Sequence, residues 1–205
     1  MVDTDRVTNV TADAEGFTSN AWLVEGERTV LVDAGAWSGV VDAVRREADG
    51  VDDVVLTHQH GDHVGALDAV LDAFDAGLEC YADHPRATRG IADGDEIRLG
   101  DTSYEAVHTP GHADDHVALV GDDAVFSGDV VVYEDGAFSG GSFGRTDMAG
   151  QDREVLIESI RELLDRLPAG VEALYAGHGP AHEGDVRAVV ERALERAERR
   201  EPKYE

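Results

Sequence analysis

Cysteine is nearly absent from this chain. Cys80 stands alone among 205 residues, so no internal disulfide can form, and the cytoplasm is the expected compartment. Lysine is as scarce: Lys203 is the only one, and the other basic residues are arginines. No apolar run approaches the roughly 20 residues of a membrane-spanning helix. The opening Met1-Val2-Asp3-Thr4-Asp5 is too acidic and polar for a secretory signal. Positive charge is in short supply overall, with 17 basic against 44 acidic residues and a net charge of −27. A nucleic-acid partner is thereby disfavoured, because phosphate binding needs basic side chains, and no membrane partner is expected.

The acids are spread along the chain, as in Asp52-Asp53, Asp114-Asp115 and Asp122-Asp123, and do not form a tail. Such a coat with so little lysine points to a halophilic protein, in which salt screens self-repulsion. The plainer reading is an acidic mesophilic protein. The 205 residues, 42% hydrophobic with 23 Gly, fit one globular α/β domain over residues 1–205.

One heptad carries most of the chemistry: Thr57-His58-Gln59-His60-Gly61-Asp62-His63. Four side chains able to hold a metal fall within six positions. At this chain's His and Asp frequencies, an H-x-H-x-D-H string arises by chance in roughly 1 in 500 such sequences. The β-branched and apolar Val54-Val55-Leu56 before it predicts a buried strand. His58 and His60, two apart at a strand end, share a side. Gly61 lets the backbone turn, and Val64, Leu67, Leu71 and Phe74 recur at helical spacing, which predicts a helix from near His63 to Phe74.

The remaining pattern alternates strands and helices. Ala21–Val24 and Thr29–Val32 flank a hairpin turn, as do Val117–Val120 and Ala124–Ser127. Leu78–Tyr81, Thr102–His108 and Val171–Tyr175 read as strands. Trp37–Ala48, Gln151–Leu167 and Asp185–Arg200 read as helices. Residues 128–151 are Gly-rich with little periodicity and are expected to form a long functional loop. Candidate ligands recur just after strands, at Asp33, His58–His63, His112, Asp129 and His178, as in an active site built on converging strand ends.

The motifs THQHGDH, HTPGHADDH (His108–His116), FSGD (Phe126–Asp129), GRTD (Gly144–Asp147) and GHGP (Gly177–Pro180) stand in this order. With them the chain resembles the metallo-β-lactamase-fold superfamily, and within it the glyoxalase II and persulfide dioxygenase branch. The resemblance implies a four-layer αββα sandwich with a two-metal centre. His58, His60 and His112 would hold one ion, Asp62, His63 and His178 the other, and Asp129 would bridge. Neutral imidazoles and carboxylates suit zinc or iron. The implied cofactors are two Zn²⁺, or an Fe/Zn or Mn combination. Two such ions roughly 3.5–4 Å apart share a hydroxide that is nucleophilic at neutral pH. Asp62 and Asp129 would thus serve catalysis as well as ligation.

The implied activity is metal-dependent hydrolysis of a thioester, on a small-molecule substrate such as a thiol conjugate. The alternatives are a persulfide dioxygenase with one Fe²⁺ held by His58, His112 and Asp129, or a lactonase with Tyr133 as a helper. Asp33 matches the family's early Asp and would orient the His-rich loop, although Asp-Ala-Gly after a strand is also an ordinary turn. Arg145 would contact an anion or bridge the site structurally. Tyr133 and Phe138 would line a substrate groove or anchor their loop. His116 reads as a support near the site, His84 as a helix-start residue, His108 as a structural histidine, His182 as a surface residue and Cys80 as strand packing.

Three features depart from the family pattern. Fourteen residues, Val130 to Phe143, lie between Asp129 and Gly144, a longer stretch than in close relatives. Only 26 residues follow Gly179, where glyoxalase II enzymes carry a further helical region. Asp114-Asp115 stands where relatives have smaller or neutral residues, and these acids would disfavour an anionic substrate.

Overall fold

A computed structural model describes residues 6–201. The acidic segment Met1–Asp5 and Lys203 lie outside the described residues. The first half of the chain forms strands β1 (Val7–Asn9), β2 (Trp22–Val24) and β3 (Val30–Val32), helix α1 (Val40–Glu47), strand β4 (Asp53–Val55), helices α2 (Gly61–Val64) and α3 (Leu67–Phe74), and strands β5 (Gly77–Cys80) and β6 (Arg89–Gly90). These six strands make one sheet in sequence order. The second half supplies β7 (Glu96–Leu99), β8 (Thr102–His108), β9 (Val117–Val120), β10 (Ala124–Gly128), β11 (Val131–Glu134), β12 (Ser139–Phe143), α4 (Arg153–Arg166), β13 (Ala173–Ala176), β14 (His182–Glu183) and α5 (Val186–Glu198). Its main sheet has the order β14-β13-β10-β9-β8-β7, with β11-β12 as a separate hairpin.

Strands β2, β3, β9, β10 and β13 are buried on both faces, which dictates layers on both sides. In β2 and β3, Trp22, Val24, Val30 and Val32 point to the core between the sheets, while Leu23 and Leu31 face α1 and α3. In β10 and β13, Phe126 and Tyr175 point between the sheets, whereas Val125 and Leu174 face α4 and α5. Period-two alternation of buried residues on both faces thus produces the αββα sandwich of the metallo-β-lactamase fold.

Parallel pairing directs the strand ends. β3, β4 and β5 pair in parallel, and so do β10 and β13. β8 is antiparallel to β9, which is antiparallel to β10, so β8 and β10 run the same way. Loops after β3, β4, β8, β10 and β13 therefore open toward one edge, where sheets of this kind place ligands.

Several elements differ from their sequence pattern. The expected helix from His63 to Phe74 is broken into α2 and α3. Gly65 packs so closely on Ala36 that a Cβ would lie 2.8 Å from the Ala36 Cβ, and the Ala66 N–H leaves the helix to reach the Gly35 carbonyl at 2.8 Å. α1 starts at Val40, three residues late, after a turn in which Val40 N–H donates to the Trp37 carbonyl. The expected loop at 128–151 contains the β11-β12 hairpin instead. Its turn is built by Asp135, whose Oδ1 accepts from Ala137 N and Phe138 N at 3.1 and 3.0 Å, with Oδ2 accepting from Ser142 Oγ at 2.8 Å. His84 sits in a turn, its Nδ1 accepting from Arg86 N at 3.2 Å, and starts no helix.

Candidate metal centre

The ligand-rich heptad is fixed by Asp33 at the end of β3. Asp33 has a left-handed backbone, φ 59°, which short polar side chains tolerate and which turns its carboxylate toward the next strand. Oδ1 accepts the Thr57 N–H and Oδ2 accepts the Thr57 hydroxyl, both at 2.8 Å. Oδ2 also accepts from His63 Nδ1 at 2.8 Å. A carboxylate only accepts, so His63 carries a proton on Nδ1 and turns Nε2 toward the other ligands. The Thr57 hydroxyl proton is committed to Asp33, so its oxygen accepts from His58 Nδ1 at 3.1 Å, leaving His58 Nε2 unprotonated and 3.0 Å from His60 Nδ1. One carboxylate thereby sets the tautomers of two imidazoles.

The other side chains arrive from the opposite sheet. His112 donates from Nδ1 to the Arg145 carbonyl at 2.9 Å, again freeing Nε2. Gly128, with φ +48°, turns β10 so that the Asp129 N–H points at His116 Nε2, 2.9 Å away. His116 Nε2 accepts, so its Nδ1 holds the proton and donates to Thr109 Oγ1 at 2.7 Å. Fully buried, His116 is a neutral strut between Thr109 and Asp129. Burial, then the neighbouring His112, pushes its pKa well below the ordinary value.

Seven side chains then converge. His58, His60 and His112 offer nitrogens within 4.8 Å of one another, and a carboxylate oxygen of Asp62 lies as close to nitrogens of His63 and His178. His58, His63 and Asp129 form a third such group. The Asp129 carboxylate lies between them, 3.3 Å from His112 Nε2 and 3.5 Å from both His63 Nε2 and His178 Nε2. Asp62 Oδ2 is 3.1 Å from His178 Nε2. His63 Nε2, His112 Nε2 and Asp129 Oδ1 are buried without a hydrogen-bond partner, a costly state unless something else engages them. Imidazole nitrogens and an anionic carboxylate facing one another are what divalent cations require, so the residues fit divalent metal.

Electrostatics within the cluster pull its imidazoles in opposite directions. Burial opposes ionisation of Asp129, but His63 and His178 outweigh it and hold its pKa well below the carboxylate range. Burial likewise opposes protonation of His63, yet Asp33 and Asp129 prevail and raise its pKa. His58 and His112 are pushed down, chiefly by burial. Close packing also shapes the centre: a Cβ on Gly177 would lie 2.2 Å from Asp129 Oδ1, so only glycine fits there.

A cavity of about 800 Å³ opens onto His60, Asp62, His112, Asp129 and His178, within the size range of small-molecule sites. Arg145 lines it, its guanidinium bonded twice to Asp147 at 2.8 Å. Tyr133 does not reach the cavity. It packs on the α4-α5 core and stacks on His182 with ring centroids 4.2 Å apart. Phe138 lies under Arg196 against the same core, so both aromatics anchor the hairpin. Asp114 and Asp115 do not line the cavity either. The Asp114 carbonyl accepts from His108 Nε2 at 2.8 Å, and Asp115 Oδ2 accepts from Gln59 N at 3.1 Å, bracing the heptad. His108 also stacks on Tyr81 at 4.2 Å. Cys80 is buried in β5, and burial raises its thiol pKa. The cavity-lining Phe17 and Met148 carry no motif. Met148 directly follows GRTD, which could have marked it, whereas no sequence feature singles out Phe17.

The sequence pattern described as the Metallo-beta-lactamase superfamily matches residues 14–178. The chain belongs to the metallo-β-lactamase superfamily. Membership makes it a metallo-hydrolase-like protein and implies divalent-metal binding. It is 38% identical over 115 residues to a hydroxyacylglutathione hydrolase of Xanthomonas campestris pv. campestris (strain B100), covering 54% of this chain and 45% of that one. The match therefore spans less than half of that hydrolase. A probable metallo-hydrolase, YqgX, of Bacillus subtilis (strain 168) is 34% identical over 149 residues, covering 62% of this chain and 68% of the relative. Among solved structures, TTHA1623 in a di-iron-bound form superposes with a TM-score of 0.64 at 28% identity, over 83% of this chain and 92% of that one. ETHE1 from Myxococcus xanthus shares the fold, with a TM-score of 0.69 at 23% identity, over 90% of this chain and 87% of that one.

Proposed function

We propose that this protein is a binuclear metallo-hydrolase that cleaves thioesters of small thiols. The carrying observation is the pair of adjoining ligand triads with Asp129 between them and three buried ligand atoms left without hydrogen-bond partners. His58, His60 and His112 would hold one cation, Asp62, His63 and His178 the other, with Asp129 shared. Divalent cations held there would supply a water activated at neutral pH and Lewis-acid polarisation of a carbonyl oxygen. The Xanthomonas hydrolase and the di-iron-bound relative support this reading.

The chain's own residues do the rest. Asp33 and Thr57 keep His58 and His63 in the Nε2-presenting tautomer. His116 and Thr109 hold the Asp129 backbone. In hydrolysis a water oxygen bonds to the acyl carbon, the carbon–sulfur bond breaks with its electron pair on sulfur, and the water's protons divide between thiol and acid. Asp62, which lines the cavity with Oδ2 beside His178 Nε2, would relay a proton in transit.

A panel of thioesters and lactones, assayed with metal-loaded protein in oxygen-free buffer, tests the reading. Thioester cleavage at an undiminished rate without oxygen is expected. Oxygen uptake with a persulfide, and no anaerobic turnover, would assign the dioxygenase instead.

A further inference from the structure

Four large hydrophobic side chains stand exposed among the described residues, and two of them, Phe17 and Met148, line the one cavity over the ligand cluster. Phe17 is 82% exposed and Met148 55%. Leaving such surface in water forgoes burial energy, and its concentration at a pocket mouth marks a binding wall. Neither side chain sits on a frayed segment. Phe17 stacks on the His178 ring, with centroids 5.5 Å apart and planes 17° from parallel, and its neighbours are tied down, Thr18 Oγ1 accepting from Ala36 N at 2.7 Å and Ser19 N donating to the Asp62 carbonyl at 3.1 Å. Met148 heads a closed turn in which its N–H donates to Gln151 Oε1 at 3.0 Å. Val132 and Pro180 extend the apolar lining.

The charge on the lining points the same way. Arg145 is the basic side chain among the lining residues, and its guanidinium is paired with Asp147 through two hydrogen bonds. Glu134 and Asp135 add negative charge. A carboxylate on the non-reacting part of a substrate would meet like charge with its natural cation partner already engaged.

We propose that the substrate arm lying between Phe17 and Met148 is an uncharged, apolar acyl chain, carried on a thiol that has no carboxylate of its own. This rests on the thioester-hydrolase reading and narrows it.

The test uses the metal-loaded full chain at low salt. Substrates are N-acetylcysteamine thioesters from acetyl to hexanoyl, and hexanoyl glutathione, whose thiol carries two carboxylates. The expected kcat/KM rises about two- to fourfold per methylene, and the glutathione ester is poorer by on the order of tenfold. The double variant Phe17→Ser/Met148→Ser flattens the chain-length series, while Val155→Ser, an exposed apolar site outside the cavity, keeps it. An unchanged slope in the double variant, or a preference for the glutathione ester, overturns the proposal. Calorimetry with uncleavable thioethers, S-hexyl-N-acetylcysteamine and S-hexylglutathione, separates the two readings. Tighter binding of the neutral thioether, lost in the double variant, upholds the pocket even if no thioester is cleaved. Equal or tighter binding of S-hexylglutathione overturns it even if thioesters are cleaved.

Discussion

Two residues that touch no substrate govern the centre. Asp33 fixes the proton positions of His58 and His63 at once, so its loss reaches both ligand triads. Asp33→Ala is expected to weaken cation binding by about 10–100-fold, read by chelator competition, and the loss should appear for both ions. An effect on one ion alone would contradict the shared-carboxylate account. His116 acts through the Asp129 backbone. His116→Leu leaves a buried N–H without an acceptor, a cost of about 1–3 kcal/mol, and should lower both denaturation midpoint and cation affinity. His116→Gln, which restores an acceptor oxygen, should return part of both. Equal behaviour of the Leu and Gln variants would show that packing alone matters at this position. The His-rich heptad was legible in the sequence because its residue types are rare and densely spaced. His116 was legible only as a nearby support. Its role depends on the left-handed turn at Gly128, a backbone angle that spacing does not encode.

At the scale of elements, legibility followed burial. Strands buried on both faces, such as Val30–Val32 and Val117–Val120, announce themselves as β-branched and apolar runs, and Thr102–His108 by its alternation of exposed and buried residues. The short β1, β6, β7 and β14 do not, because sheet pairing rather than their own composition makes them strands. The β11-β12 hairpin was hidden because Gly140 and Gly141 interrupt the alternation; Arg192 and Arg196 of α5 hold it, donating to the carbonyls of residues 139–141. Another arginine ties α4 to the second sheet. Arg166 bonds Asp93, Glu105 and Glu162 at 2.9, 2.8 and 2.6 Å. Burial tends to raise the Asp93 pKa, but the Arg166 hydrogen bond outweighs it and depresses it. A depressed carboxylate contributes stability above its unfolded pKa and loses it as pH falls through the folded value. Arg166→Ala should therefore cost on the order of 1 kcal/mol at pH 7, screening by solvent included. That deficit should shrink in acid below about pH 4. Chemical denaturation of both proteins across this range checks it, and a deficit that persists in acid would contradict the assignment.

For the whole molecule, charge and the centre set the behaviour. A net charge of −27 on 205 residues repels itself at low ionic strength, so the denaturation midpoint should climb as KCl is raised through molar concentrations, where the screening length falls to about 3 Å. A flat or falling midpoint would favour an ordinary acidic protein. Among the described residues no helix is long and apolar enough to cross a membrane. The layer order was legible because strands apolar on both faces demand helices outside two sheets. Substrate preference was not, since it rests on the loop residues Phe17 and Met148. The most direct test of the central claim is the metal content of the purified full chain, measured by elemental analysis after preparation in high salt. The two triads around Asp129 predict about two divalent cations per chain; close to one iron per chain, or no tightly held metal, would contradict the binuclear centre.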